Sequence, residues 1–250
     1  MVLRKLWINQ SFPNIWKGAQ DFLSFGLKRV LFAATTTNME IDMPKLKLTY
    51  FAFDGGRGEP IRLALAYGKI PFEDHRFPPS DWPTMKEKTP LHQVPVMEVD
   101  GQIITQTNTL LRYTGKLAGL YPMDALEAAH CDEAMDTIED IVAKMVPSMF
   151  MQDPEEKRKA REALAAGPIP LFLRRLETML KERGGRYFAG DRLSVADFKV
   201  FLWTRHLQSG QLDHIPTDIV QRLAPTLAEH FKRISAVPEI VDYYKKRAAA

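Results

Sequence analysis

The stretch that decides the fold is Gln93-Val94-Pro95-Val96-Met97-Glu98-Val99-Asp100-Gly101, followed a few residues on by Gln106-Thr107. An apolar strand is entered here through a proline, which cannot donate to a ladder and is excluded from the interior of central strands. Val-Pro at that point is a candidate cis bond. Asp-Gly is a strong signal for a two-residue hairpin turn, so the spacing predicts that residues 95–97 and 102–105 pair antiparallel. The residue before such a proline can offer its backbone to a bound peptide as another strand would. Gln106-Thr107 then opens a helix whose unpaired amides favour an anion. A peptide-binding edge beside an anion-binding helix start implies a small acidic peptide as ligand.

Upstream, Leu46–Phe51 has the composition of a strand, and Glu59–Tyr67 is a helix with Ile61, Leu63, Ala64, Leu65 and Tyr67 on its buried side. Residues 71–76 form a second short strand and 81–88 a polar connection with one helical turn. After the hairpin, 107–118 closes the unit as a helix. The order is strand-helix-strand, then strand-strand-helix, which predicts a mixed sheet flanked by helices. Residues 119–122 form a linker.

Beyond Met123 no strand pattern remains. Helical periodicity covers 125–151, 154–164, 168–183, 194–208, 225–235 and 238–247. In the first of these, Met135, Ile138, Val142 and Met145 share one face. Several helices begin with Pro, whose missing amide costs nothing in the first turn. Ser194-Val195-Ala196-Asp197 is a capping-box variant ahead of an apolar run. The expected class is α/β plus all-α, with domains at 43–122 and 123–250.

Residues 1–42 differ from the rest. Arg4, Lys5, Lys17, Lys28 and Arg29 face a single acid, Asp21, before Glu40, with Leu and Trp residues interspersed. A basic, acid-poor, amphipathic segment has the character of an organellar presequence, here a mitochondrial one. The plain alternative is an extension without an address, leaving a cytoplasmic protein.

The chain has 250 residues, 45% apolar and 26% charged, enough for one or two domains with real cores. A formal charge of +3 without a Lys/Arg stripe argues against nucleic acid as a partner. The single Cys131 excludes an intramolecular disulfide and a Cys-x-x-Cys redox site. No run approaches the roughly eighteen apolar residues of a membrane span, and no metal-ligand pattern is present.

Leu48-Thr49-Tyr50-Phe51, Asp81-Trp82-Pro83, Gln93-Val94-Pro95, Gln106-Thr107 and Ser194-Val195-Ala196-Asp197-Phe198 together resemble the cytosolic glutathione transferases. The sigma class, which includes prostaglandin D synthases and transferase-derived lens crystallins, is the nearest match, over about residues 45–247. The resemblance implies a thioredoxin-like domain followed by an all-helical one. It also implies a homodimer and a detoxifying enzyme that needs no cofactor beyond glutathione as co-substrate. Tyr50 takes the position of the catalytic hydroxyl, and Arg57 that of its neighbouring arginine. The loop Asp54-Gly55-Gly56-Arg57-Gly58-Glu59 is one residue longer than usual, which puts the position of Arg57 in question.

By the same resemblance, Trp82 and Lys86 contact the glycine end of glutathione, on one face of a helical turn. Gln93 adds a side-chain contact, the backbone of Val94 meets the cysteinyl unit, and Pro95 sets the geometry. Gln106 and Thr107 bind the γ-glutamyl carboxylate, with the Thr107 hydroxyl at the helix N-cap. Asp140, from the partner subunit, binds its amine. Phe51, Phe53, Ala143 and Pro147 line the pocket for a small apolar electrophile. Pro147 stands where prostaglandin-synthase members carry tryptophan, which argues against that activity. Two rival readings remain: a carrier of glutathione and apolar ligands without turnover, and a structural protein derived from a transferase.

Overall fold

The computed structural model describes residues 43–249; the expected address in 1–42 lies outside the described residues. Strand β1 (Leu46–Phe51) lies at the centre of a four-stranded sheet of order β2-β1-β3-β4. It pairs parallel with β2 (Glu73–Phe77) and antiparallel with β3 (Val96–Val99), which pairs antiparallel with β4 (Gln102–Thr105). Alternation along β1 buries Leu46, Leu48 and Tyr50 on one face, as a period of two requires.

The hairpin register sets Val99 opposite Gln102. Asp100 and Gly101 both adopt positive φ, 48° and 83°, as a type I′ turn requires. The Val94–Pro95 bond is cis. Strand β2 begins at Glu73, two residues later than the sequence pattern suggests. Pro71 has no N–H to give a parallel ladder, and pairing starts where Glu73 meets Lys47.

Helix α1 (Glu59–Tyr67) crosses over between β1 and β2. Between β2 and β3 the chain makes the single α-turn α2 (Trp82–Met85) flanked by 3-10 turns. Helix α3 (Thr107–Leu117) closes the unit. A Cβ on its Gly115 would fall 2.8 Å from Val195 Cγ1, so the close approach of this helix to the second domain requires glycine.

The remainder is helical: α4 (Ala125–Phe150), α5 (Pro154–Ala166), α6 (Pro168–Glu182), α7 (Val195–Gln208), α8 (Ile219–Leu223), α9 (Pro225–Ser235) and α10 (Pro238–Ala248). Helix α7 is buried nearly all round and packs against α1, α4 and α9, the position a helix apolar on every side must take. Its start is fixed by Asp197. Oδ2 accepts from Ser194 N–H at 2.7 Å, and Oδ1 accepts from Phe188 N–H at 3.0 Å and faces His230 Nε2 at 2.9 Å. The predicted apolar face of α4 turns inward, with Met135, Ile138 and Met145 buried. No helix among the described residues is long and apolar enough to cross a membrane.

Candidate active site

Where β1 ends, the chain folds back over its own tyrosine. The loop 52–58 runs across the Tyr50 ring so closely that a Cβ on Gly58 would lie 2.4 Å from Tyr50 Cγ. Tyr50 is 5% exposed, and its hydroxyl oxygen accepts the backbone N–H of Arg57 at 2.9 Å. The Arg62 guanidinium stands 5.6 Å from the ring centroid. Burial pushes the phenol's pKa up, against the pull of the Arg57 amide and of the Arg57 and Arg62 charges. Tyr50 is therefore a neutral phenol at physiological pH. Its oxygen already holds a donor, so its own proton is left to give to a ligand.

A cavity of about 800 Å³ opens beside this loop. Of the residues singled out in the sequence, Phe51, Arg57, Trp82, Gln93, Val94, Pro95, Gln106 and Thr107 line it. Tyr50 is not itself part of that lining; it adjoins it through Phe51 in sequence and through the Arg57 hydrogen bond. Lys86, Phe53, Asp140, Ala143 and Pro147 are not part of it. Asp136, Asp140, Ala143, Pro147 and Phe150 follow one another along an exposed stripe of α4, and only the two ends, Asp136 and Phe150, reach the cavity.

Each lining residue is positioned by ordinary local physics. Trp82 stacks on Phe77 at 6.2 Å between centroids and meets Phe51 edge-on at 5.5 Å, so the outer wall is an aromatic cluster on the sheet. Gln106, not Thr107, is the cap of α3. Its φ of 74° turns the chain sharply from β4 into the helix and makes Thr107 the first helical residue. The α3 amides therefore open towards the cavity with Gln106, Thr107, Asn108 and Thr109 around them, a setting suited to a carboxylate.

The far wall holds charge that the sequence reading did not single out. Arg57 Nε bonds Glu139 Oε2 at 2.9 Å, and Lys199 Nζ bonds Glu139 Oε1 at 2.6 Å. Lys199 also bonds Asn108, Asn108 bonds Asp136, and Arg112 bonds Asp132 at 2.8 Å. So the Arg57 main chain serves Tyr50 while its side chain ties the loop to α4. Burial raises the Glu139 carboxyl, but Lys199 and Arg57 outweigh it and hold the group below the usual range. A clue was present in the sequence: Lys199 interrupts the apolar run Phe198 to Phe201, and a buried lysine there needs a carboxylate. Cys131 is fully buried and its thiol is pushed up to about 12 by burial, which leaves it no nucleophilic role.

Two family models match this chain: the glutathione S-transferase N-terminal domain over residues 46–116 and the corresponding C-terminal domain over residues 139–247. The chain belongs to the glutathione S-transferase family. It is thus an enzyme of the transferase type, with the thioredoxin-like and helical halves that the motifs implied. Hematopoietic prostaglandin D synthase of Gallus gallus is 34% identical over 205 residues, 82% of this chain and 98% of that protein. A glutathione S-transferase of Anopheles gambiae is 30% identical over 209 residues, with the same shares covered. Among solved structures, prostaglandin synthase D of Nilaparvata lugens superposes with a TM-score of 0.73 at 33% identity, covering 82% of this chain and 98% of that one.

Proposed function

We propose that this transferase activates glutathione through Tyr50 and joins its sulfur to small apolar electrophiles, a detoxifying conjugation. The observation that carries the reading is the buried phenol whose oxygen accepts the Arg57 N–H at 2.9 Å. A free thiol, with a pKa of about 8.5, is only a few per cent ionised at neutral pH; lowering it by about 1.5–2 units requires roughly 2–3 kcal/mol. One hydrogen bond to a charged acceptor supplies about 1.5–3 kcal/mol. A phenol held neutral by burial and polarised by a backbone amide suits that task, and the reaction then needs no cofactor.

Glutathione would lie with its cysteinyl unit on the Val94 backbone, its γ-glutamyl carboxylate at Gln106 and Thr107, and its glycine end towards Trp82 and Lys86, with Gln93 adding a side-chain contact. Asp140 is exposed on α4 and outside the cavity, so it would reach a glutamyl amine only from a second copy of the chain. Exposed Leu91, Leu126, Met149 and Phe150 support a homodimer that covers them. The electrophile would enter past Phe51, Phe53 and the α4 stripe through Ala143 and Pro147. Domains at 43–122 and 123–250, sigma-class membership and a cytoplasmic location complete the proposal.

The test is steady-state conjugation of glutathione to a chloronitrobenzene by the full chain and by Tyr50→Phe. The expected result is turnover by the wild type and a fall of at least about tenfold in kcat for the variant, with glutathione affinity little changed. Equal rates would remove Tyr50 from the mechanism. Glutathione binding without turnover by either form would favour a carrier.

A further inference from the structure

The loop between β1 and α1 is held by its carbonyl oxygens. Phe51 O accepts from Arg62 Nη2 at 3.1 Å, Ala52 O from Arg76 Nη1 at 3.1 Å, Phe53 O from Arg62 Nη1 at 3.4 Å and Asp54 O from Arg205 Nη2 at 3.0 Å. Four consecutive carbonyls thus accept from guanidinium groups carried by α1, β2 and α7. The Asp54 side chain brings in a fourth arginine. Its Oδ1 accepts from Arg76 Nη1 at 2.8 Å and from Arg247 Nε, on α10, at 3.1 Å. Helix α10 makes a second contact at this point, because Arg76 Nη2 donates to the Tyr243 hydroxyl at 3.0 Å.

None of these four arginines lines the cavity, so they do not serve as ligand contacts there. What they hold is the start of a segment that ends on the Tyr50 hydroxyl. Between Asp54 and Arg57 lie only Gly55 and Gly56, which have no side chains to fix the path and which carry the largest backbone freedom of any residue. The Arg57 N–H keeps its 2.9 Å contact with Tyr50 only if the chain is pinned on both sides of that pair. Helix α1 and the Arg57–Glu139 pair pin one side, and Asp54 pins the other. Burial raises the Asp54 carboxyl, and Arg76 and Arg247 more than reverse this, so the group is ionised wherever the enzyme works.

We infer that Asp54, clamped by Arg76 of β2 and Arg247 of α10, is a positioning residue for Tyr50. It fixes the glycine pair that delivers the Arg57 N–H, and it thereby links the C-terminal helix to the acidity of the thiol in the site. This rests on the Tyr50 reading above. Loss of the clamp lets the amide leave the phenol oxygen part of the time. A phenol without that donor gives its own proton less strongly, so bound glutathione is less ionised while its contacts at Val94, Gln106 and Thr107 are untouched.

The experiment compares wild type, Asp54→Asn, Arg247→Ala and Arg247→Lys in the full chain. Two quantities are measured: the pH dependence of thiolate absorbance in the enzyme–glutathione complex, and kcat and KM for glutathione with a chloronitrobenzene. Asp54→Asn and Arg247→Ala are expected to lower the thiolate fraction at neutral pH, and kcat with it, by about fivefold, or about 1 kcal/mol, leaving KM within about twofold. Arg247→Lys, which keeps a cation against Asp54, should recover most of the loss. Circular dichroism and Tm establish that each variant is folded; if Arg247→Ala loses α10, Asp54→Asn alone decides. An unchanged thiol titration in folded Asp54→Asn overturns the inference, and so does a rise in KM without a shift in that titration. The Tyr50 reading fails separately, through an absence of thiolate absorbance in the wild-type complex or an identical titration in Tyr50→Phe.

Discussion

The Lys199 ammonium, 4% exposed, lies 2.6 Å from the Glu139 carboxylate, whose other oxygen holds Arg57 at 2.9 Å. One carboxylate on α4 therefore serves two cations, one deep on α7 and one in the loop over Tyr50. The two sides of the pair are not equivalent. Lys199 depends on Glu139 for its compensating charge, and burial already lowers its pKa in spite of that partner. Glu139 has Arg57 in reserve and is partly open to solvent.

Removing one member of a buried pair costs about 3–5 kcal/mol when the other is stranded. Glu139→Gln strands Lys199 and should fall near the lower end of that range. Lys199→Met leaves Glu139 paired with Arg57 and should cost about 1 kcal/mol or less. The damage from Glu139→Gln should also shrink as pH rises, because a lysine with a depressed folded pKa sheds its proton, and the penalty with it, before the unfolded chain does. Urea unfolding at pH 7 and pH 9.5 checks both statements. Equal costs for the two variants would mean that Lys199 finds other compensation.

A second prediction concerns the glycines over the tyrosine. A Cβ on Gly56 would sit 2.4 Å from the Tyr50 oxygen but 3.4 Å from its ring carbon Cζ, and Gly56 has φ 64°. Gly56→Ala should therefore cost roughly 1 kcal/mol in backbone conformation and, in addition, displace the hydroxyl, reducing kcat by tenfold or more. In a Tyr50→Phe background the offending oxygen is gone. The second substitution should then remove almost no further activity, and the stability losses should fall short of additive by about 1 kcal/mol. Strict additivity in the four-member cycle would show that the loop does not press on that oxygen.

The legibility of this chain follows the range of its interactions. Strand β1, helix α1 and the Asp100-Gly101 turn are written in neighbours within four residues of one another, and their bounds were readable. Helix α8 was missed because Ile219–Leu223 is a single turn bounded by Pro216 and Pro225, with only Ile219 and Val220 buried. Two apolar residues make no period. In the site, the segments that line the cavity were legible as motifs, whereas the cross-links were not. Asn108 and Lys199 are 91 residues apart, and Arg247 reaches Asp54 across 193. No local pattern encodes such partners; only the presence of charge within an apolar helix hinted at one of them. Arg57 shows the same limit at short range. The resemblance set it next to Tyr50 while the longer loop left its position in question; its main chain makes the contact with Tyr50 and its side chain leaves for α4.

The third prediction concerns Glu177, which stands in α6 but completes α9. Helix α9 opens with Ala224, which has no capping side chain, and Pro225, which has no N–H to satisfy. The next two amides, of Thr226 and Leu227, donate to Glu177 Oε1 at 3.1 Å and Oε2 at 2.9 Å. The carboxylate thus supplies from a distant helix what an N-cap residue supplies locally. Burial raises its pKa, while Lys181 and the two amides lower it further, and the net direction is down. A carboxyl with a depressed folded pKa contributes stability above its unfolded value of about 4.3, and that contribution is lost as pH falls through the folded value. Glu177→Ala should therefore cost about 1–3 kcal/mol at pH 7, and the gap to wild type should narrow below about pH 4. Glu177→Gln, which still offers one oxygen, should fall between the two at pH 7 and show little of the acid dependence. A gap between Glu177→Ala and wild type that is constant from pH 7 to pH 3.5 would mean that the carboxylate's charge does not hold the start of α9.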